Sequence, residues 1–155
     1  MNRQHLDKTD LLILQKLAED GRKPYLEIAR ELGVSGAAIH QRLQRLIARG
    51  IVKGTECLIN PEALGYETCA YIGVLLNDPT KFQKVIEDIE KIPEVVECHF
   101  TTGHYDIFTK VVARNNDHLL EIIQNHYQKL EASRTETIIS FKEVFKRQFP
   151  IVDNR

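Results

Sequence analysis

Apolar positions along the first fifty residues recur at helical spacing and are punctuated by glycines. Leu11, Leu14 and Leu17, with Leu12 and Ile13 beside them, predict a helix that opens at Asp7 and stops at Gly21. Pro24 suits a first helical turn, and Leu26, Ile28, Ala29 and Leu32 predict a short second helix ended by Gly33. Ser35 is a good N-cap for a third helix, and Gly50 lies just past its end. Ile39, Leu43, Leu46 and Ile47 follow the spacing of a single apolar stripe on that helix. The segment Glu31-Leu32-Gly33-Val34-Ser35 joins the second and third helices tightly, which predicts a helix-turn-helix.

Beyond Gly50 the period changes. Ile51 to Ile59 reads as two short extended runs around Gly54, either a wing or a linker strand. Asn60-Pro61 breaks it and Leu64-Gly65 closes a connection. Cys69 to Leu76 then predicts a strand, and Asp78-Pro79 opens a helix with Phe82, Val85, Ile86 and Ile89 inward until Pro93. Val95 to Thr102 and Tyr105 to Ala113 predict two strands around Gly103-His104. Asn116 or Asp117 caps a helix carrying Leu119, Leu120, Ile122, Ile123, Tyr127 and Leu130. Ser133 to Phe145 reads as a long last strand, with Ile139, Phe141 and Phe145 on one alternating face.

The order is β-α-β-β-α-β, the ferredoxin-like split βαβ. The predicted class is therefore α+β, with an N-terminal helix-turn-helix (winged-helix-like) domain at 1–60, a linker at 61–67 and a ferredoxin-like domain at 68–155. Helices would cover one face of the sheet, and nothing in the chain is left for the other. Each half is also small enough to be marginal alone. Face-to-face dimerisation is the expected outcome.

Charge sharpens this picture. The formal net charge is -1, so the chain has no general basic coat. Residues 1–66 hold ten Lys/Arg and eight Asp/Glu, whereas residues 67–155 hold the remaining eleven and fourteen. Between Glu31 and Glu56 there is no acid, while Arg42, Arg45, Arg49 and Lys53 all fall there. A local basic face on a near-neutral protein suits an element that reads DNA. On the third helix, the side opposite the apolar stripe presents Ala37, Gln41, Gln44 and Arg45, flanked by Ala38, His40 and Arg42. Glutamine and arginine can address base edges bidentately, arginine also neutralises phosphate, and small residues permit close approach. Gln41, Gln44 and Arg45 are the expected groove readers, with Arg42 near phosphate and Ser35 at the helix start.

No apolar run approaches the roughly 18 residues of a membrane helix, and no signal-peptide pattern is present, so a soluble, cytoplasmic protein is expected. Cys57, Cys69 and Cys98 are odd in number, far apart and without a CxxC, which fits reduced thiols. Enzymatic readings are weak. Cys98-His99 with His104 and Asp106 is the best constellation, but adjacent strand residues point to opposite faces. His99, His104, His118 and His126 lack metal-ligand spacing, and no Walker loop, GxGxxG or GxSxG occurs. No catalytic residue, metal or cofactor is expected. A stand-alone effector-binding oligomer that never touches DNA is the other alternative, and the first 60 residues speak against it.

Taken in order, these pieces resemble the Lrp/AsnC family of leucine- and asparagine-responsive, or feast/famine, regulators. Leu6-Asp7, Asp10, Ile13-Leu14 and Asp20-Gly21-Arg22 are similar to its opening helix and turn. Glu27-Ile28-Ala29, Leu32-Gly33-Val34-Ser35, Ile39, Arg42 and Leu46 fall in the register of its helix-turn-helix, and Gly50-Ile51-Val52, Gly54, Leu58-Ile59-Asn60-Pro61 and Leu64-Gly65 resemble its linker. Gly103-His104-Tyr105-Asp106 is similar to the family's glycine–any–tyrosine–aspartate loop, and Thr135-Glu136-Thr137 to its threonine-rich final strand. The resemblance covers roughly residues 6–146, and its specificity lies in order and spacing together. It implies binding to double-stranded DNA and a dimer built through the C-terminal domains, assembled further into an octamer or another higher oligomer. It also implies an amino acid or related metabolite as effector, held between subunits by Gly103, His104, Tyr105, Asp106, Thr135 and Thr137. His104 occupies the variable position of the loop, so the effector's identity does not carry over.

Overall fold

The computed structural model describes residues 6–152. They form two compact units: residues up to Leu58 together with those from Lys146 onward, and Ile59–Phe145. The sequence pattern puts the boundary at residue 60 and the residues from 146 onward in the second domain; by contact the chain divides after Leu58, and the residues from Lys146 group with the first unit. Gln15 supplies one tie, its Nε2 donating to the carbonyl of Ile151 at 2.7 Å.

In the first unit, helices α1 (Lys8–Glu19), α2 (Tyr25–Leu32) and α3 (Gly36–Ala48) surround a core of Ile13, Ile28, Ala29, Ile39 and Leu46. Their ends follow local chemistry. Asp7 caps α1 in a reciprocal box with Asp10, satisfying two orphan N–H groups of the helix start. Gly33 ends α2 at φ 65°, a left-handed conformation natural to glycine, and lets the chain turn at once into α3. Ser35 Oγ then accepts from the N–H of Ala38 at 3.1 Å. Across the turn, Glu31 pairs with Lys16 at 3.1 Å and with Lys23, which ties α2 to α1 and to the preceding loop. Both lysines hold the Glu31 carboxyl below its usual range, Lys23 foremost. The apolar stripe of α3 differs from expectation at one end: Ile39, Leu43 and Leu46 are buried, but Ile47 is exposed. The run after Gly50 forms no strand, and Leu58 and Ile59 are exposed.

The second unit contains β1 (Thr68–Leu75), α4 (Phe82–Glu90), β2 (Val95–Phe100), β3 (Ile107–Ala113), α5 (Asn116–Asn125) and β4 (Arg134–Ser140). The sheet is antiparallel in the order β2-β3-β1-β4, as the split βαβ pattern requires. Both helices cover one face, and the core between is Ala70, Ile72, Val74, Val85, Ile89, Ile92, Ile107, Val111, Ala113, Leu119, Ile122 and Tyr127. Asn115, not Asn116 or Asp117, caps α5, its side chain accepting from the N–H of His118. Asp78 caps a short 3-10 turn, Pro79–Lys81, that leads into α4.

The last strand is much shorter than the expected 133–145. Ser140 pairs with Cys69 next to the start of β1, so beyond it β4 runs out of partner. Phe141, Val144 and Phe145 lie beyond the strand, and their side chains are exposed. Ile139, Phe141 and Phe145 therefore do not form one strand face.

Candidate DNA-reading and effector sites

Helix α3 carries the first site. Its buried stripe of Ile39, Leu43 and Leu46 faces the core, and the opposite side is presented outward. Ser35, Ala37, His40, Gln41, Gln44 and Arg45 are all exposed, and Ala38 is half-buried. Two or three turns of small, amide and guanidinium side chains thus share one accessible face, with no acid among them. Arg42 stands apart. Its Nη1 donates to Asp7 Oδ2 at 2.5 Å and to Asp10 Oδ1 at 2.7 Å, so it faces α1 and is engaged inside the domain. Arg42, expected near phosphate, is here engaged in an internal ion pair: Asp10 is buried, and a buried carboxylate requires a partner. The bond from Arg42 is also the main cause that holds the Asp7 carboxyl below its usual range.

The second site is the loop between β2 and β3. Gly103 adopts φ 109°, which few side chains tolerate, and reverses the chain. Thr101 locks the turn: its N–H donates to the Asp106 carbonyl at 2.9 Å and its Oγ1 to the Tyr105 carbonyl at 2.6 Å. Asp106 is directed inward. Its N–H donates to the Val74 carbonyl and its Oδ2 accepts from the Leu76 N–H at 2.7 Å, so the carboxylate pins the loop to the end of β1. Tyr105 projects onto the sheet face that the helices leave uncovered. It stacks with Phe108, which stacks in turn on Tyr71, at centroid distances of 5.8 and 5.7 Å.

Sheet register decides which expected partners join this loop. Thr135 pairs with Val74 and Thr137 with Ile72, both core residues, so the two threonines lie on the helix-covered side. They are not brought together with Tyr105. Glu136, between them, points to the open face, where its carboxylate accepts from the Tyr105 hydroxyl at 2.6 Å and from Arg134 Nη2 at 2.7 Å. His104 Nε2 lies 3.8 Å from the same carboxylate. The Tyr105 bond is the leading cause that lowers the Glu136 pKa, and the same bond raises that of Tyr105. Glu136 was legible only as part of a motif. The alternation of Thr135-Glu136-Thr137 on a strand carries the signal, since it must place the glutamate and the threonines on opposite faces.

Comparison with known proteins agrees with both halves. The AsnC-type helix-turn-helix domain matches residues 6–47, and the Lrp/AsnC ligand binding domain matches residues 69–149. This chain belongs to the Lrp/AsnC family. Regulatory protein AsnC of Haemophilus influenzae is 38% identical over 144 residues, 92% of this chain and 96% of the relative. The structure of Escherichia coli AsnC superposes with a TM-score of 0.89 at 33% identity, over 94% of this chain and 99% of that one. A feast or famine regulatory protein from Mycobacterium tuberculosis, complexed with L-methionine, has a TM-score of 0.89 at 28% identity, over 96% of this chain and 100% of that one. As an Lrp/AsnC protein the chain is a transcriptional regulator with a DNA-binding and a ligand-binding domain, and not an enzyme. No helix among its described residues is long and apolar enough to cross a membrane.

Proposed function

We propose that this regulator reads duplex DNA with the outer face of α3 and answers to an amino acid or closely related metabolite bound at the Gly103–Asp106 loop. The exposed, acid-free face of Ala37, Gln41, Gln44 and Arg45 carries the first part. Small residues at the helix start let it enter a major groove, where Gln41, Gln44 and Arg45 address base edges and Ser35, Ala38 and His40 line the approach. A cytoplasmic location follows from that partner.

The effector reading rests on a zwitterion's double requirement. The backbone N–H groups of Gly103 and His104 donate to no described residue and suit a carboxylate. Glu136 suits an ammonium because it lies on the open face beside Tyr105 and His104, where an effector's ammonium would compete with Arg134 for it, whereas the Asp106 carboxylate is turned inward onto Leu76. The methionine complex of the M. tuberculosis relative supports an amino acid as the ligand class. Thr135 and Thr137 enter this site through shape rather than direct contact, since they lie across the sheet.

Assembly completes the reading. The open sheet face bears the Tyr71–Phe108–Tyr105 aromatic row, and pairing two such faces about a dyad would bury it. The dimer would place two α3 helices on half-sites about 10 bp apart or a multiple of it. Higher assembly to an octamer would use other surfaces.

A thermal-shift screen of the twenty amino acids tests the effector claim, because a ligand preferring the folded state raises its apparent stability. Calorimetry with the best ligand on wild type and on Glu136→Gln should show weaker binding to the variant. Equal affinity would place the pocket elsewhere, and a screen in which no amino acid shifts the midpoint would remove the effector class. A concentration-independent monomer in sedimentation at micromolar protein would remove the dimer.

A further inference from the structure

We infer that Arg42 is the positioning residue of the DNA-reading helix: with Asp7 and Asp10 it forms a clamp that sets the rotation of α3 against α1, and it does not itself contact DNA. This rests on the reading of α3 as the groove helix. One guanidinium nitrogen bridges two carboxylates from the first turn of α1, at 2.5 and 2.7 Å. Those carboxylates are themselves fixed. Asp7 Oδ1 accepts from the Asp10 N–H at 2.8 Å, and Asp10 Oδ2 accepts from the Asp7 N–H at 3.3 Å. The two free oxygens of the capping box are the ones that Arg42 takes, so the cap and the clamp are one network.

The clamp lies on the flank of α3 that also carries Arg45 and Arg49, and all three arginines line one polar cleft with Asp7 and Asp10. Residues 42, 45 and 49 lie within a narrow arc of the helix. Without the tether, resistance to rolling of α3 about its axis would fall mainly to the apolar stripe, and that stripe is weakened at its end by the exposed Ile47. A roll of one residue's angular step, about 100°, would take Gln41 and Gln44 out of register with base edges. Even a fraction of it lengthens a bidentate contact beyond hydrogen-bond reach. The two carboxylates also cancel the local charge of Arg42, leaving Arg45, which makes no ion pair among the described residues, as the cation on the presented face.

The test separates positioning from phosphate contact. Duplexes chosen by the wild-type full chain from a random-sequence pool are compared with scrambled duplexes of the same composition, across a salt series. A phosphate contact adds to the slope of log affinity against log salt and strengthens both duplexes alike. A positioning residue adds nothing to the slope but supports the preference for the selected sequence. Arg42→Gln should therefore lower the selected-to-scrambled ratio roughly tenfold, the scale of a lost base contact, with the slope unchanged. Asp7→Asn/Asp10→Asn should lower it likewise although it removes negative charge, because asparagine still caps a helix but cannot hold the guanidinium as an ion pair. The triple variant should be no worse than Arg42→Gln alone. Circular dichroism fixes a temperature at which each variant is folded, and Asp10→Asn alone serves if the double variant is not.

A slope reduced by about one unit in Arg42→Gln, or tighter binding by the asparagine variant, overturns the clamp and leaves the groove helix standing. So does an unchanged ratio in folded variants. A wild-type protein that selects no sequence at all overturns the groove reading and the clamp with it.

Discussion

Gly73 lies directly beneath the ring of Tyr105, and a Cβ at that position would run into three ring carbons. The glycine sits mid-strand in β1 on the uncovered face, where its missing side chain gives the aromatic ring a seat. The hydroxyl of that ring reaches Glu136, so a strand glycine determines whether the loop's tyrosine and the last strand's glutamate can meet. The clash involves the ring near its Cβ end, which has little freedom to swing aside.

Gly73→Ala is expected to expel the Tyr105 ring and break its bond to Glu136, costing about 1–3 kcal/mol of stability as overpacking. Effector affinity should fall with it. In Tyr105→Ala the seat is empty, so adding Gly73→Ala should then cost little. Chemical denaturation of the four proteins in this cycle measures the coupling. Additive costs would show that the ring does not depend on its glycine seat.

Arg45→Ala and Gln41→Ala should each weaken binding to a selected duplex by about 1–3 kcal/mol and relax preference at one base position. Both side chains are exposed, so the folded domain should keep its thermal midpoint. Fluorescence anisotropy at fixed salt checks the affinity. Unchanged binding in both variants would remove these residues from the groove.

Acid should act on the clamp in a defined direction. The Asp7 carboxyl is held below its ordinary pKa by Arg42 first and by the Asp10 N–H second. A group depressed in the folded state contributes stability above its unfolded pKa, near about 4, and loses it as pH falls through the folded value. Wild type should be more stable than Asp7→Asn at neutral pH, and the two should converge as pH drops below about 4. The thermal midpoints of both proteins across that range check this. A gap that stays constant with pH would mean that charge plays no part in the clamp.

Much of the architecture was legible because it depends on local rules. The Ser35 cap, the Gly33 stop and the βαββαβ order follow from residue type and period, and all three stand in the structure. What stayed hidden depends on pairing between distant residues. The end of β4 at Ser140 is set by where β1 begins, which no property of residues 141–145 announces. Arg42 looked like an outward cation because helical spacing gives its angle and not its partner; Asp10, 32 residues away, supplies that. The same holds at the loop, where Asp106 turns inward to Leu76 and Glu136 is the carboxylate that meets Tyr105 on the open face. The capping box of Asp7 and Asp10 uses two of their four carboxylate oxygens, and Arg42 takes the other two.

Thr109 and Tyr127 offer a test of the second core that does not involve either site. Thr109 Oγ1 is buried and donates to the Ile72 carbonyl at 3.1 Å. Its single hydrogen is thereby used, so the 2.7 Å contact with Tyr127 Oη must have the tyrosine as donor. Burial of that hydroxyl pushes the Tyr127 pKa up to about 12. The two residues are consequently unequal. Tyr127→Phe removes a donor and leaves the Thr109 hydroxyl still bonded to Ile72, which should cost about 0.5–1.5 kcal/mol. Thr109→Val keeps the shape but strands the buried Tyr127 hydroxyl, adding its desolvation penalty of about 1–3 kcal/mol. In the double variant Tyr127→Phe/Thr109→Val no hydroxyl is stranded, so it should be more stable than Thr109→Val alone. Urea denaturation at neutral pH measures all three. Equal stability of the two single variants would place the donor on Thr109 or a water beside the ring, and would reverse this assignment.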